Sequence, residues 1–216
     1  MGRDGQPDDS LPKRAQLLMP VKGFDLAKQR LAAQLEPVER SRLARAMADT
    51  VLRAASPLPV VVVCDDDGVR RWALDAGASV CWTPGCDLNA ALTKAVDEAA
   101  VSGIDRVVIA HADLPFAAAM ERLAAAATAE VLLVPDRHGR GTNVMSIPTD
   151  VRFPLSYGPD SRSAHVRHAT SAGLSVTEIA DAALGWDVDE PADLNPPAAL
   201  GELPAALASC PPTSGN

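Results

Sequence analysis

Aromatic residues make up only 3% of this chain. Its core must therefore be built from small and branched side chains, which alanine and valine supply. Cysteine is equally sparse. Cys64, Cys81, Cys86 and Cys210 form no CxxC pair and have no histidine at zinc spacing, so a structural metal is not expected. Reduced thiols are the expectation, with Cys64 and Cys81, which end apolar runs, as small buried hydrophobes. No apolar run approaches a membrane span, and Met1 to Arg14 carries charges and prolines rather than the apolar stretch of a signal peptide. A cytoplasmic location follows as the expectation. Positive charge is also in short supply. A net charge of −8 and a pI near 4.9 argue against a nucleic-acid backbone or an anionic membrane as the main partner. No GxxxxGK[ST] occurs, which excludes a P-loop enzyme. No GxGxxG follows the first strand, and Gly139/Gly141 have Val144 where a third glycine belongs, which disfavours a dinucleotide-binding oxidoreductase.

What is present suits one folded domain. With 216 residues, 47% hydrophobic and 22% charged, the chain is long enough to bury a core. Polar, proline-bearing ends predict disordered tails over 1–14 and 204–216, flanking a domain over 15–203. Within it, strands are expected at Ala15–Met19, Val60–Cys64, Ser79–Trp82, Arg106–Ala110, Val131–Val134, Asn143–Ile147 and Leu174–Ile179. Helical spacing predicts helices over Pro37–Ala55 and Asp67–Ala76, and one capped by Asp87 that buries Leu88, Ala91, Leu92, Ala95 and Val96. An alanine-rich helix from about Pro115 to Ala129, one over Ser161–Ala172 and a last helix after Asp189 complete the pattern. Such alternation predicts an α/β fold with a doubly wound, mostly parallel sheet covered on both sides. Ligands of such sheets sit beyond the carboxyl ends of the strands.

That rule selects residues. In Gly185-Trp-Asp-Val-Asp-Glu-Pro-Ala-Asp-Leu194, Asp187 and Asp189 stand two apart, so on a strand both would face the same way. Two carboxylates so placed repel unless a cation lies between them or one takes a proton. Asp113 follows Arg106–Ala110 and supplies a third; a helix cap is the competing role. Together the three could give magnesium the oxygen ligands it prefers. His111 is expected to be a strand-end hydrogen-bonding residue. Asp65-Asp66-Asp67 are expected to be solvated carboxylates at a helix start.

Cations and turns complete the picture. Lys22, Lys28 and Arg30 cluster in the loop after the first strand, where an anion would lie. Asp136–Asn143 is basic and holds Gly139 and Gly141, which would let backbone N–H groups approach an anion. Tyr157-Gly-Pro-Asp-Ser161 leads into a helix N-terminus, another place for an anion.

Taken together, Pro20-Val-Lys22, Ala27-Lys-Gln-Arg-Leu31, Asp113-Leu-Pro115, Gly139-Arg-Gly-Thr-Asn143, Tyr157–Ser161 and Asp187–Leu194 resemble, in order, one family. It is that of the 2-phospho-L-lactate / phosphoenolpyruvate guanylyltransferases of coenzyme F(420) biosynthesis, within the molybdenum-cofactor-guanylyltransferase-like enzymes. The resemblance covers about residues 15 to 200. It implies a nucleotide-diphospho-sugar transferase-type, Rossmann-like three-layer sandwich. It also implies GMP transfer from GTP to a three-carbon phospho-acid with release of pyrophosphate and with Mg2+, as two ions. The acceptor would be phosphoenolpyruvate, 2-phospho-L-lactate or 3-phospho-D-glycerate, and a downstream transferase would consume the product. By motif, Asp113, Asp187 and Asp189 would hold metal, and Thr142, Gly158 and Ser161 the acid. Lys22, Lys28 and Arg30 would hold the triphosphate, with Lys22 and Lys28 acting in catalysis, and Asn89 would touch the nucleotide. His111, His138 and Asn143 depart from the pattern and bear on which acid is accepted. Other readings stay open: a molybdenum-cofactor or sugar nucleotidyltransferase, a phosphatase, or a non-catalytic nucleotide-binding module.

Overall fold

Side-chain alternation along the strands fixes the layers of this protein, whose computed structural model describes residues 14–203. Strands β1 (Ala15–Pro20), β2 (Val60–Cys64), β3 (Ser79–Trp82), β4 (Arg106–Ala110), β5 (Glu130–Pro135), β6 (Thr142–Pro148) and β7 (Ser175–Glu178) form one sheet. The order is β3-β2-β1-β4-β6-β5-β7, and only β6 runs antiparallel to its neighbours. Helices α1 (Pro37–Ala54), α2 (Asp67–Asp75), α3 (Leu88–Val101) and α4 (Ser161–Ser171) cover it. Leu17 and Met19 of β1 pack with Val51 of α1 and Trp72 of α2 on one face. Leu18 packs with Leu92 of α3 and Ala169 of α4 on the other. Burial on both faces is what the valine run of β2 requires. Each fully buried Leu or Val contributes roughly 1.5–3 kcal/mol. This is the doubly wound, mostly parallel three-layer fold expected.

Helix starts are local chemistry. Asp66 accepts from the Val69 amide and Asp87 from the Ala90 amide, each at 2.9 Å, caps worth about 1 kcal/mol apiece. Asp65 and Asp67 are the exposed helix-start carboxylates expected, whereas Asp66 is half-buried and spent on the cap. Cys64 and Cys81 are buried within the sheet layers. Among the described residues no helix is long and apolar enough to cross a membrane.

Four expectations need correcting. The alanine-rich helix over 115–129 is absent; that stretch holds only a 3-10 turn, Met120–Ala125. Its buried apolar residues, Leu114, Ala117, Met120, Leu123 and Ala126, stand three apart throughout, whereas the face of an α-helix recurs at three and four. Ala119 at φ 48° interrupts the right-handed backbone as well. The last helix is likewise only short 3-10 turns, Pro191–Leu194 and Ala198–Leu200. Asp187–Asp189 is no strand of the sheet; the Val188 amide bonds instead to the Asp113 carbonyl at 3.2 Å. Arg14, assigned to the tail, belongs to the fold, since its carbonyl accepts from Asp105 and its amide donates to the Asp105 carboxylate. The rest of the two tails, 1–13 and 204–216, lies outside the described residues.

Candidate active site

The loops after β1 and β4 and the Gly185–Leu194 segment meet at the carboxyl edge of the sheet. A satellite core holds them there: Leu31 of the lysine loop, Leu43 and Met47 of α1, and Val188, with Trp186 and Leu194 packed against it. Val188 is fully buried, and it anchors the two acidic residues on either side of it.

The three carboxylates come together, and two of them, Asp113 and Asp189, close on an ammonium group. Lys28 Nζ donates to Asp113 Oδ2 at 2.7 Å and to Asp189 Oδ1 at 2.8 Å. Lys28 adopts a left-handed backbone, φ 54°, between two 3-10 turns, an uncommon state for a non-glycine residue. Burial works against its charge, but Asp113 and Asp189 outweigh that and hold the ammonium protonated well above the usual lysine range. Burial likewise pushes Asp113 up, and the charges of Lys28 and His111 more than reverse it. Asp187 lacks such a partner. Burial, then the charges of Asp113 and Asp189, push its carboxyl up to about 6, although the Asn143 amide donates to it at 3.3 Å. With no helix after Asp113, the capping role for that residue falls away.

Among the described residues no three acidic, imidazole or thiolate groups are already drawn into a metal ligand set. The donors nonetheless suit a hard cation. They are carboxylate oxygens, two of them already on one ammonium group, and Asp113 Oδ1 is buried with no hydrogen-bond partner. The other cations of the loop stand further out. Lys22 is exposed, and Arg30 lies 3.7 Å from Glu190 at the surface.

Asp193 and Arg137, which lie in the motif and the loop quoted above but were given no role there, brace this acidic segment. Asp193 is 2% exposed, and its Oδ2 accepts from the Asp189 and Glu190 amides, each at 2.7 Å. Its carboxylate also pairs with Arg137, whose guanidinium lies 4.4 Å from the Trp186 ring centroid. The only available signal was position: Asp193 is the third residue of the turn after Pro191, where a side chain can reach back to the first free amides.

The proposed acid-binding residues form a second cluster. Thr142 Oγ1 lies 3.0 Å from His165 Nδ1 and 3.5 Å from Ser161 Oγ, and all three residues are buried. His165 Nε2 accepts from the Ser156 amide at 3.0 Å, so in the neutral ring the proton sits on Nδ1 and is donated to Thr142. Burial, aided by His168 and His111, lowers His165 to about 4 and keeps it neutral. Thr142 accepts from both neighbours, and its own hydroxyl hydrogen is left to donate elsewhere. Gly158 is exposed at φ 134°, a backbone essentially reserved for glycine.

Other residues are placed differently from the expectation. Asn89 clasps the Tyr157 backbone, donating to its carbonyl at 3.1 Å and accepting from its amide at 2.7 Å. Asn143 donates to the Leu184 carbonyl as well as to Asp187, so it sets the carboxylate. The glycine loop turns its amides inward: Gly139 N and Arg140 N donate to Asp136. A Cβ on Gly141 would come within 2.8 Å of that carboxylate. At the start of α4, the Ser161 and Arg162 amides donate to the Gly158 and Arg140 carbonyls. His138 is exposed.

Comparison with known proteins concerns the chain as a whole. A phosphoenolpyruvate guanylyltransferase from Sphaerobacter thermophilus is 37% identical over 82% of this chain and 89% of its own length. A 2-phospho-L-lactate guanylyltransferase from Methanothermobacter thermautotrophicus is 33% identical over 82% of this chain and 81% of its own. In structure, the chain is similar to a protein from Desulfovibrio desulfuricans G20 assigned to the nucleotide-diphospho-sugar transferases. There the TM-score is 0.70 at 20% identity, with 85% of each chain covered. A cytidylyltransferase from Leptospira borgpetersenii shares the fold at a TM-score of 0.55, with 14% identity and 84% of each chain covered. The family model described as "Guanylyl transferase CofC like" matches residues 15–201. With nearly all the described residues inside that match, the chain belongs to the CofC-like guanylyl transferases.

Proposed function

We propose that this protein transfers GMP from GTP to a three-carbon phospho-acid, releasing pyrophosphate, in coenzyme F(420) biosynthesis. One observation carries the reading: Asp113 and Asp189 share the Lys28 ammonium, with Asp187 beside them, at the sheet edge where nucleotides of such folds lie. An oxygen of the acceptor phosphate attacks the α-phosphorus of GTP, and the bond to the β-phosphate oxygen breaks. That nucleophile is already ionised at neutral pH, which accounts for a site without a Ser-His-Asp or Cys-His constellation.

The chain's own residues position and neutralise. Lys22, Lys28 and Arg30 would face the triphosphate, and Thr142, Gly158 and Ser161 the acid. Asp113, Asp187 and Asp189 would hold Mg2+, which supplies Lewis-acid neutralisation of phosphate charge. The acceptor class is phosphoenolpyruvate, 2-phospho-L-lactate or 3-phospho-D-glycerate; relatives bear the first two names. The activated product would pass to a downstream transferase. Incubating the protein with GTP, magnesium and each acid in turn should release pyrophosphate with at least one. Silence with all three, or phosphate release without GTP, would sink the reading.

A further inference from the structure

Six buried side-chain nitrogen or oxygen atoms lack a hydrogen-bond partner among the described residues. Three are accounted for. Arg40 and Arg106 bond through their other nitrogens, and Asp193 Oδ1 faces Arg137. The remaining three, His111 Nε2, Asp113 Oδ1 and Tyr157 Oη, lie in one place. His111 and Asp113 flank Ala112 just past β4, and the His111 and Tyr157 rings are 5.2 Å apart. Tyr157 also stacks edge-on at 4.8 Å against His165, the ring that holds Thr142. Natural proteins rarely leave such atoms unmatched, and a group at this spot awaits a partner from outside the chain.

The chemistry of that partner follows from the atoms. Asp113 Oδ1 accepts and belongs with the cation side. Tyr157 Oη is a donor that burial keeps protonated, and the free His111 Nε2 can carry an N–H. Two donors on adjacent rings, one of them packed on the His165 ring that holds Thr142, suit an anion. The reacting phosphate must lie toward Asp113, Asp187 and Asp189, which leaves the far end of the acceptor for these two donors.

We propose that His111 Nε2 and Tyr157 Oη bind the acceptor's carboxylate and thereby select a phosphorylated acid over a phosphorylated alcohol. The inference rests on the guanylyl-transfer reading above and adds two specificity-determining residues to it. The test uses Tyr157→Phe, His111→Leu and His111→Gln, whose amide nitrogen can replace the Nε2 donor. Pyrophosphate release is measured with the best acid and with its analogue bearing a primary alcohol in place of the carboxylate. We expect Tyr157→Phe and His111→Leu each to raise the KM for the acid about tenfold, with the KM for GTP unchanged and melting no lower. Both should lose most of the wild type's preference for acid over alcohol, and His111→Gln should restore it. An acid KM within twofold of wild type in both variants, or equal losses for acid and alcohol, would overturn the proposal. Calorimetry of acid binding, with magnesium and a non-transferable GTP analogue, separates the two claims. Acid binding weakened by the variants, without pyrophosphate release by the wild type, keeps this pocket and sinks the reaction. No acid binding by the wild type sinks the pocket.

Discussion

The Lys28 ammonium and the Asp113 carboxylate, 85 residues apart in the chain, meet at 2.7 Å. Asp189 shares that ammonium, whereas Asp187 lies beside both carboxylates without such a partner, so one lysine neutralises the Asp113–Asp189 pair. Lys28→Met should therefore leave mutually repelling, partly buried carboxylates. Removing one partner of a buried pair costs about 3–5 kcal/mol; the exposure of Asp189 reduces that here to roughly 2–3 kcal/mol. Thermal melting in EDTA should fall by about 4–12 °C, at roughly 2–4 °C per kcal/mol for a domain of this size. Magnesium should recover part of the loss in the variant and shift the wild type less. A variant that melts like wild type in EDTA would show that Lys28 does not hold the cluster.

Asp193 touches no reacting group in the proposed mechanism, yet its Oδ2 holds the Asp189 and Glu190 amides while Arg137 holds the carboxylate. Asp193→Ala should lower kcat by about 10–100-fold through a misplaced Asp189, the scale of losses when the support of a ligand is removed. Asp193→Asn retains an oxygen acceptor and should lose less. Arg137→Lys retains the charge but loses the planar stack on Trp186, and should fall between wild type and Asp193→Ala. If Asp193→Ala keeps kcat while destabilising the fold, the brace is structural only.

Two titrating groups should pull acid stability in opposite directions. Asp187 rises from 3.8 to about 6, so between those values the folded protein holds a proton the unfolded chain has lost. Its contribution is present below 3.8 and is lost as pH rises through 6. His165 falls from 6.5 to about 4, so there the unfolded chain holds the extra proton. That contribution is present above 6.5 and is lost as pH falls through 4. Each is worth at most roughly 3 kcal/mol. Urea midpoints taken from pH 7 to 4 in EDTA should drop more steeply for Asp187→Asn than for wild type, and less steeply for His165→Gln. The same slope in all three proteins would contradict both assignments.

Much of this molecule is legible in its sequence because strands and caps are local. The valine run, Asp66 and Asp87 carry their roles within a few residues, and β2 and β3 end where apolar character ends. The stretch after Asp113 is not legible in this way. Alanine favours a helix, but the apolar residues that reach the core stand three apart, off the face of an α-helix, and that spacing acquires meaning only once the sheet is in place. Asp187 and Asp189 do come to the carboxyl edge. Their placement comes from Val188 anchoring in the satellite core and not from membership of a strand. The Asn89–Tyr157 and Asn143–Asp187 bonds span 68 and 44 residues, a separation over which no residue pattern announces a partner. His165 was hidden for the same reason: its partners, Thr142 and the Ser156 amide, come from strand β6 and from the loop before α4.

Asn89 offers the sharpest division between sequence and structure. The motif resemblance implies contact with the nucleotide, whereas both ends of its amide are occupied by the Tyr157 backbone. Asn89→Ala should strip a buried amide and carbonyl of their partners at a cost of about 1–3 kcal/mol each, less whatever water recovers. Asn89→Asp keeps the acceptor for the Tyr157 amide but sets a carboxylate against the Tyr157 carbonyl, so it should fare little better. Because Tyr157 precedes Gly158 and carries the hydroxyl assigned to the acid, the kinetic damage should fall on the acceptor. The KM for the acid should rise about tenfold or more, while the KM for GTP stays within about twofold, since each hydrogen bond lost to a positioned loop is worth about tenfold. Initial rates measured with each substrate varied in turn decide the matter. A rise confined to GTP would place Asn89 on the nucleotide and reduce the clasp on Tyr157 to a packing detail.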